Sequence, residues 1–192
     1  MNITVAGGGS WGTAMARLIS NKGHKVSFYI RNIKVCKDIE KNKENSKYLP
    51  GAKFEKTISI YNNLKDSVKG AEIIVLAVPT SAIRSLLSSL KNFIDKDVII
   101  VNLSKGIEVD TLDRISQVCK EILPENPFVA LSGPSHAEEV GFDIPTTVVA
   151  ASLDSHYANI IQEEFSTDTF RIYTNTDLIG VEIGGALKNI IA

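Results

Sequence analysis

Short β-branched runs alternate along the chain with segments whose apolar residues recur every three to four positions. The runs occupy residues 3–6, 26–30, 72–78, 98–103, 128–131, 146–150 and 170–174. The middle ones, such as Ile73-Ile74-Val75-Leu76, are apolar on both faces, so both faces of those strands need cover. Between the runs, the helical period predicts helices over 13–21, 80–91, 110–122 and 155–165. Strand and helix in alternation give an α/β fold, a doubly wound parallel sheet with helices on both faces. Residues 34–47 are polar and read as a solvated helix or loop. No internal repeat and no Pro-, Gly- or Ser-rich linker divides the chain. A last helical pattern starts at Thr176 and runs through Leu178, Ile179, Val181, Ile183, Leu187, Ile190 and Ile191. It meets the C-terminus with no cap and no Gly or Pro stop, which predicts that the natural chain continues.

Composition narrows this picture. The chain has 192 residues, 44% of them apolar and 22% charged, which is ordinary for a globular protein and excludes disordered and collagen-like readings. A net charge of -1 supplies no global basic field for nucleic acid or an anionic membrane, although a local anion site stays open. The longest apolar run, 73–78, is far short of the roughly 20 residues a bilayer requires. Met1-Asn2-Ile3-Thr4-Val5-Ala6 has neither a basic stretch nor a long apolar core, so it is not a signal peptide. Cys36 and Cys119 lie far apart and fit a reduced, cytoplasmic chain. His24, His136 and His156 show no metal-ligand spacing, so no metal is expected.

The chemistry begins at the first strand. Ile3-Thr4-Val5-Ala6 runs into Gly7-Gly8-Gly9-Ser10-Trp11-Gly12 and then into a helix. In this strand–turn–helix context the G-x-G-x-x-G spacing is a Rossmann-type dinucleotide signature. Gly7 permits the turn, Gly9 lets the backbone approach a pyrophosphate, and Gly12 lets the helix pack on the sheet. Trp11, the sole tryptophan, either lids the sheet edge or lines the cofactor cleft. An NAD site places Asp or Glu at the end of the second strand; here Arg31 and Asn32 follow it. An arginine there pairs a 2′-phosphate, which favours NADP over NAD.

Three further strand ends carry polar residues. Pro79 stops one strand, and Thr80 or Ser81 is expected to cap the next helix. Ser104-Lys105-Gly106 brings a cation to the carboxyl edge of the sheet, where ligands bind in this architecture. Ser132-Gly133-Pro134-Ser135-His136 forms a tight turn whose backbone and Ser135 can meet a polar ligand. Ser135 beside His136 is not a nucleophile–base pair, and no hydrolase signature accompanies it, so His136 reads as structural. Glu138 and Glu139 are expected in the first turn of a helix. In the last helix, Gly184 and Gly185 leave a bare patch near Lys188, four residues beyond Gly184 on the same face. A second cation such as Lys105 would lower the pKa of a cleft lysine and suit it to acid/base work. The bland alternative is helix packing at the glycines with Lys188 solvated.

Five motifs then stand in order: Gly7-Gly8-Gly9-Ser10-Trp11-Gly12-Thr13-Ala14, Tyr48-Leu49-Pro50-Gly51, Ser104-Lys105-Gly106-Ile107-Glu108, Leu131 to Val140, and Gly184-Gly185-Ala186-Leu187-Lys188-Asn189. Together they resemble NAD(P)-dependent glycerol-3-phosphate dehydrogenase of the bacterial type. The resemblance implies a Rossmann-type sheet with a mixed extension over 1–175, and the start of a helical substrate domain at 176–192. The rest of that domain is absent from this sequence, so these residues alone are expected to bind NADPH without full activity. The implied reaction interconverts dihydroxyacetone phosphate and sn-glycerol 3-phosphate for glycerophospholipid synthesis. Gly7, Gly9, Ser10, Trp11, Gly12, Arg31, Tyr48, Lys105 and Ala137 are implied as cofactor positions. Lys105, Gly133 and Ser135 match substrate positions, and Lys188 matches the proton donor. A small phosphorylated substrate is implied, with no nucleic acid and no membrane insertion, and a homodimer is left open. The rivals are another two-domain NAD(P) dehydrogenase and a nucleotide-sensing regulatory domain.

Overall fold

The computed structural model describes residues 1–56 and 58–191, the side chains of 189–191 excepted. The elements in order are β1 (Asn2–Ala6), α1 (Ser10–Asn21), β2 (Lys25–Tyr29), α2 (Ile33–Asn42), β3 (Ser59–Tyr61), α3 (Leu64–Ser67), β4 (Ile73–Leu76) and α4 (Thr80–Leu90). They continue with β5 (Ile99–Asn102), α5 (Ile115–Ile122), β6 (Phe128–Ser132), α6 (Ala137–Gly141), β7 (Thr146–Ala151), α7 (Ser155–Phe165), β8 (Phe170–Asn175) and α8 (Leu178–Ile191).

All eight strands join one sheet in the order β3-β2-β1-β4-β5-β6-β7-β8. From β3 across to β6 every neighbouring pair is parallel. β7 runs antiparallel to β6, and β8 runs parallel to β7, which is the expected mixed extension. The chain builds outward from β1 through β2 to β3, then returns to add β4 on the other side of β1. That reversal opens a crevice at the carboxyl ends of β1 and β4, the place where doubly wound sheets bind ligands.

Alternate residues of each strand feed different cores. Ile3, Val5, Phe28, Ile73, Val75 and Val101 pack against Met15 and Ile19 of α1, Ile39 of α2 and Ile161 of α7. Ala6, Ile74, Leu76 and Ile100 face the other way, onto Ile83 and Leu87 of α4 and Val118 of α5. This is why β4 reads as an unbroken apolar run and why β1 and β5 are apolar on both faces. Each fully buried aliphatic side chain of this kind contributes roughly 1.5–3 kcal/mol.

Several expectations need correction. The helix expected over 110–122 starts only at Ile115. Ahead of it Leu112 takes a left-handed φ of 62°, and Ile107 bridges Arg114, so 110–114 is a turn. The polar stretch 34–47, read as a solvated helix or loop, is helical up to Asn42 as part of α2, but that helix buries a narrow stripe of Val35, Cys36 and Ile39. β3 was not expected; it is too short to show a period and pairs only with β2. No side chain caps α4, since Pro79 itself occupies the N-cap position and Thr80 and Ser81 are already helical. Helix α1 starts at Ser10, three residues earlier than its apolar period suggests. Glu138 and Glu139 do lie in the first turn of α6, as expected.

Candidate functional site

The glycine loop connects β1 to α1 across the crevice. Gly7 has φ +129°, and a Cβ there would lie 2.2 Å from the Ala77 carbonyl oxygen, so only glycine fits. A Cβ on Gly12 would lie 1.8 Å from the Gly7 carbonyl oxygen, which is the close packing expected of that position. Beside Gly9, by contrast, a Cβ would meet nothing within 4 Å. Gly9 is the N-cap of α1 and no side chain caps the helix, so its first N–H groups are available to an anion. Trp11 packs on the core beneath, and its indole Nε1 is buried without a hydrogen-bond partner. An open glycine, an uncapped helix start and an orphaned indole N–H fit a phosphate-bearing cofactor.

The lysines meet at the turn after β6. Lys105 Nζ donates to the Gly133 carbonyl at 2.9 Å and to the Ser135 carbonyl at 3.4 Å. Lys188 Nζ donates to the same Ser135 carbonyl at 3.4 Å. Lys105 Nζ also stands 6.0 Å from the centre of the Trp11 ring, which ties this cluster to the glycine loop. Burial, and after it the neighbouring Lys188 charge, hold the Lys105 ammonium below its usual pKa of 10.5. Ser135 is buried and its hydroxyl lies 3.5 Å from the Gly133 carbonyl. Ala137 is the first residue of α6 and packs partly against the core next to this turn.

The loop after Lys105 is clamped from outside. Arg84 of α4 grips the Glu108 carboxylate through two bonds of 2.8 Å. With help from Thr111, this lowers the Glu108 pKa to about 2. Helix α8 is clamped as well. Glu182 is buried at 8% exposure and accepts from the Ser116 N–H, the Ser116 hydroxyl and Arg114 Nη1 at 2.8, 2.6 and 2.6 Å. Gly185 closes on Ser132, where a Cβ would come within 2.7 Å of Oγ, while the space at Gly184 is open. A cleft of about 440 Å³, walled by Gly133, Pro134, Val149, Val181, Gly184 and Lys188, runs along that side of α8.

Arg31 and Tyr48 stand apart from the lysine cluster. Arg31 is exposed just past β2, and Asn62 Nδ2 holds the Ile30 and Arg31 carbonyls at 2.7 Å each. Tyr48 is 39% exposed under the Lys47 ammonium, 4.8 Å from the ring centre. Sequence reasoning missed Asn45, Thr13 and Glu182, whose side chains brace the glycine loop and α8. Asn45 sits in a polar stretch and Glu182 in a helix, where neither periodicity nor spacing marks a buried polar side chain. Among the described residues, no group of three or more His, Cys, Asp or Glu side chains could hold a metal ion, and no helix is long and apolar enough to cross a membrane.

A mostly parallel sheet with a glycine turn and two lysines at its carboxyl edge defines a Rossmann-type domain of the dehydrogenase kind. Residues 2–158 match the family described as NAD-dependent glycerol-3-phosphate dehydrogenase N-terminus, and the chain belongs to that family. It is 48% identical over 190 residues to a glycerol-3-phosphate dehydrogenase [NAD(P)+] of Clostridium acetobutylicum, covering 99% of this chain and 57% of that protein. The corresponding protein of Clostridium tetani is also 48% identical, with 54% of its length covered. The crystal structure of glycerol-3-phosphate dehydrogenase from Coxiella burnetii superposes with a TM-score of 0.93 at 34% identity, over 99% of this chain and 58% of that one. The chain thus spans little more than half the length of the relatives it matches.

Proposed function

We propose that this chain is the dinucleotide-binding part of an enzyme that interconverts dihydroxyacetone phosphate and sn-glycerol 3-phosphate with NAD(P)H. In this reading residues 1–175 form the cofactor unit and 176–192 open a helical substrate domain. One observation carries it: Lys105 and Lys188 converge on the Ser135 carbonyl, beside the Trp11 ring at the glycine-loop edge.

Gly7, Gly9, Ser10, Trp11 and Gly12 would hold the cofactor pyrophosphate and its neighbouring groups, through backbone N–H donors at the start of α1. Arg31 would pair with a 2′-phosphate, which favours NADP, and Tyr48 and Ala137 would be further cofactor contacts. When bound, the reduced nicotinamide supplies a hydride to the ketone carbon. Negative charge then builds on the carbonyl oxygen. Lys188, as the ammonium, donates a proton to it, and Lys105 stabilises it electrostatically while Gly133 and Ser135 hold the substrate. The product alcohol accounts for both the hydride and the proton. The buried, unpaired thiols of Cys36 and Cys119 suit a cytoplasmic enzyme. Glycerophospholipid synthesis is the pathway we assign, with a small phosphorylated substrate, no nucleic acid or metal requirement, and a homodimer as the candidate assembly.

The test is kinetic and uses the full-length protein. Lys188→Met should keep cofactor affinity and lower kcat by about 10² or more, the usual scale for a lost general acid. Arg31→Ala, titrated by cofactor fluorescence, should weaken NADPH more than NADH. Near-normal turnover in the first variant would reduce Lys188 to a binding residue. Equal losses of the two cofactors in the second would remove the 2′-phosphate role.

A further inference from the structure

Asn45 lies between α2 and β3, and it is fully buried, at 0% exposure. Its Nδ2 donates to the Gly8 carbonyl at 3.0 Å and to Thr13 Oγ1 at 2.8 Å. Its Oδ1 accepts from the Tyr48 N–H at 3.3 Å. The Thr13 hydroxyl passes the chain on, donating to the Gly9 carbonyl at 2.8 Å. Every hydrogen of the Asn45 amide is therefore spent on the glycine loop, directly or through Thr13.

These bonds set two peptide planes. A trans peptide carries its N–H on the side opposite its carbonyl. With the Gly8 carbonyl drawn to Asn45, the Gly9 N–H points away from it. The Gly9 carbonyl accepts both the Thr13 N–H of the first α1 turn, at 3.0 Å, and the Thr13 hydroxyl, so the Ser10 N–H points away as well. Glycine has the widest choice of backbone conformations, so a Gly7-Gly8-Gly9 run left to itself would sample many orientations of these groups. Backbone bonds hold the Gly7 N–H to the Tyr29 carbonyl and the Gly9 carbonyl to the Thr13 N–H, and the Asn45 amide fixes the Gly8 carbonyl between them before any ligand arrives; a preset site spends less of its binding energy on ordering.

The segment that carries Asn45 is held by contacts of its own. Arg17 donates to the Lys53 carbonyl at 2.9 Å and pairs with Glu55 at 3.2 Å. Leu49 is buried against Gly141, and Phe54 packs 6.2 Å from Phe28, ring centre to ring centre. Truncating Asn45 therefore leaves the segment anchored and releases the glycine loop together with the Tyr48 N–H.

We propose that Asn45, acting with Thr13, is a positioning residue that orients the Gly9 and Ser10 N–H groups toward a pyrophosphate. This rests on the dinucleotide reading above and names the device that presets its phosphate site.

The experiment compares the wild-type chain, Asn45→Ala and Thr13→Val for three ligands: NADH by fluorescence, and ADP and adenosine by amide NMR. Asn45→Ala should bind NADH and ADP about tenfold more weakly, the scale of one lost charge-assisted contact, and adenosine within about twofold of wild type. Thr13→Val keeps the side-chain shape and should show a smaller loss with the same ligand pattern. In the wild-type chain ADP should shift the Gly9 and Ser10 amide resonances, and in Asn45→Ala these should shift less. Unchanged NADH binding in a folded Asn45→Ala overturns the role, and so does an equal loss for all three ligands, which marks general loosening. Should Asn45→Ala not fold, Thr13→Val decides by the same ligand pattern. If the wild-type chain binds none of NADPH, NADH and ADP, the dinucleotide reading itself falls; if it binds them and the variants match it, only the positioning role does.

Discussion

Lys105 and Lys188 sit on different elements but donate to one carbonyl oxygen, that of Ser135. Two ammonium groups so placed repel each other, and burial adds to the cost of the Lys105 charge. The pKa of Lys105 in the folded chain is therefore depressed, while the unfolded chain returns it to its usual 10.5. Between those two values the unfolded state binds more protons, so stability rises as pH increases through that window. Lys188→Met removes the nearby charge and leaves burial in place. The Lys105 pKa should move up, and the alkaline rise in stability should shrink. Titration of the Lys105 side-chain resonance by NMR reads the first effect, and denaturant melts across the same pH range read the second. A Lys105 titration unmoved by Lys188→Met would show that the two charges do not feel each other. The pair was only half legible in advance. Lys105 follows a strand and Lys188 interrupts an apolar helix, yet nothing local says that they meet.

Helix α8 shows how an element is aimed. Its apolar residues alone would let it rotate or slide over β6 and β7. Glu182 prevents this, because its carboxylate is bonded to Arg114, to the Ser116 hydroxyl and to the Ser116 N–H near the start of α5. Gly185 adds a close approach to Ser132, where a larger residue would push the hydroxyl aside. Lys188 therefore reaches Ser135 from a helix fixed in register. Glu182→Ala leaves three donors without their acceptor and should cost roughly 2–3 kcal/mol, the scale of hydrogen bonds to a charged group. The same carboxylate, behind the larger effect of burial, pushes the Cys119 thiol up to about 12. Cys119 should therefore resist thiol reagents in the native chain and label faster in Glu182→Ala. A variant with unchanged denaturant midpoint and unchanged labelling would show that α8 is held by its apolar contacts alone.

For the molecule as a whole, the sheet is covered on both faces and the remaining exposed apolar surface gathers partly on α8. Ile179, Ile183 and Leu187 are 55%, 38% and 42% exposed, beside the cleft at Gly184. An apolar stripe of this kind promotes association of the isolated chain. These residues on their own should bind a hydrophobic dye and self-associate as concentration rises, and Ile183→Lys should weaken both. Dye fluorescence and light scattering provide the measurement, and a monomer at all concentrations without dye binding would contradict it.

The amino-acid sequence by itself determined the features that repeat locally. An unbroken apolar run specified β4 because a strand covered on both faces favours apolar residues at every position. The period of 3.6 specified α7 residue for residue, and Gly7 to Gly12 announced the turn because only glycine tolerates its close approaches. Tertiary structure decided what has no local period. β3 exists because β2 offers it an edge. Residues 110–114 leave the helical pattern because Leu112 turns left-handed and Ile107 bridges Arg114. Asn45 and Glu182 became buried braces through partners far along the chain, in the glycine loop and at the start of α5. A polar side chain shows its type in the sequence, but its value depends on the donor or acceptor that folding brings to it, and that pairing is set only when the layers close.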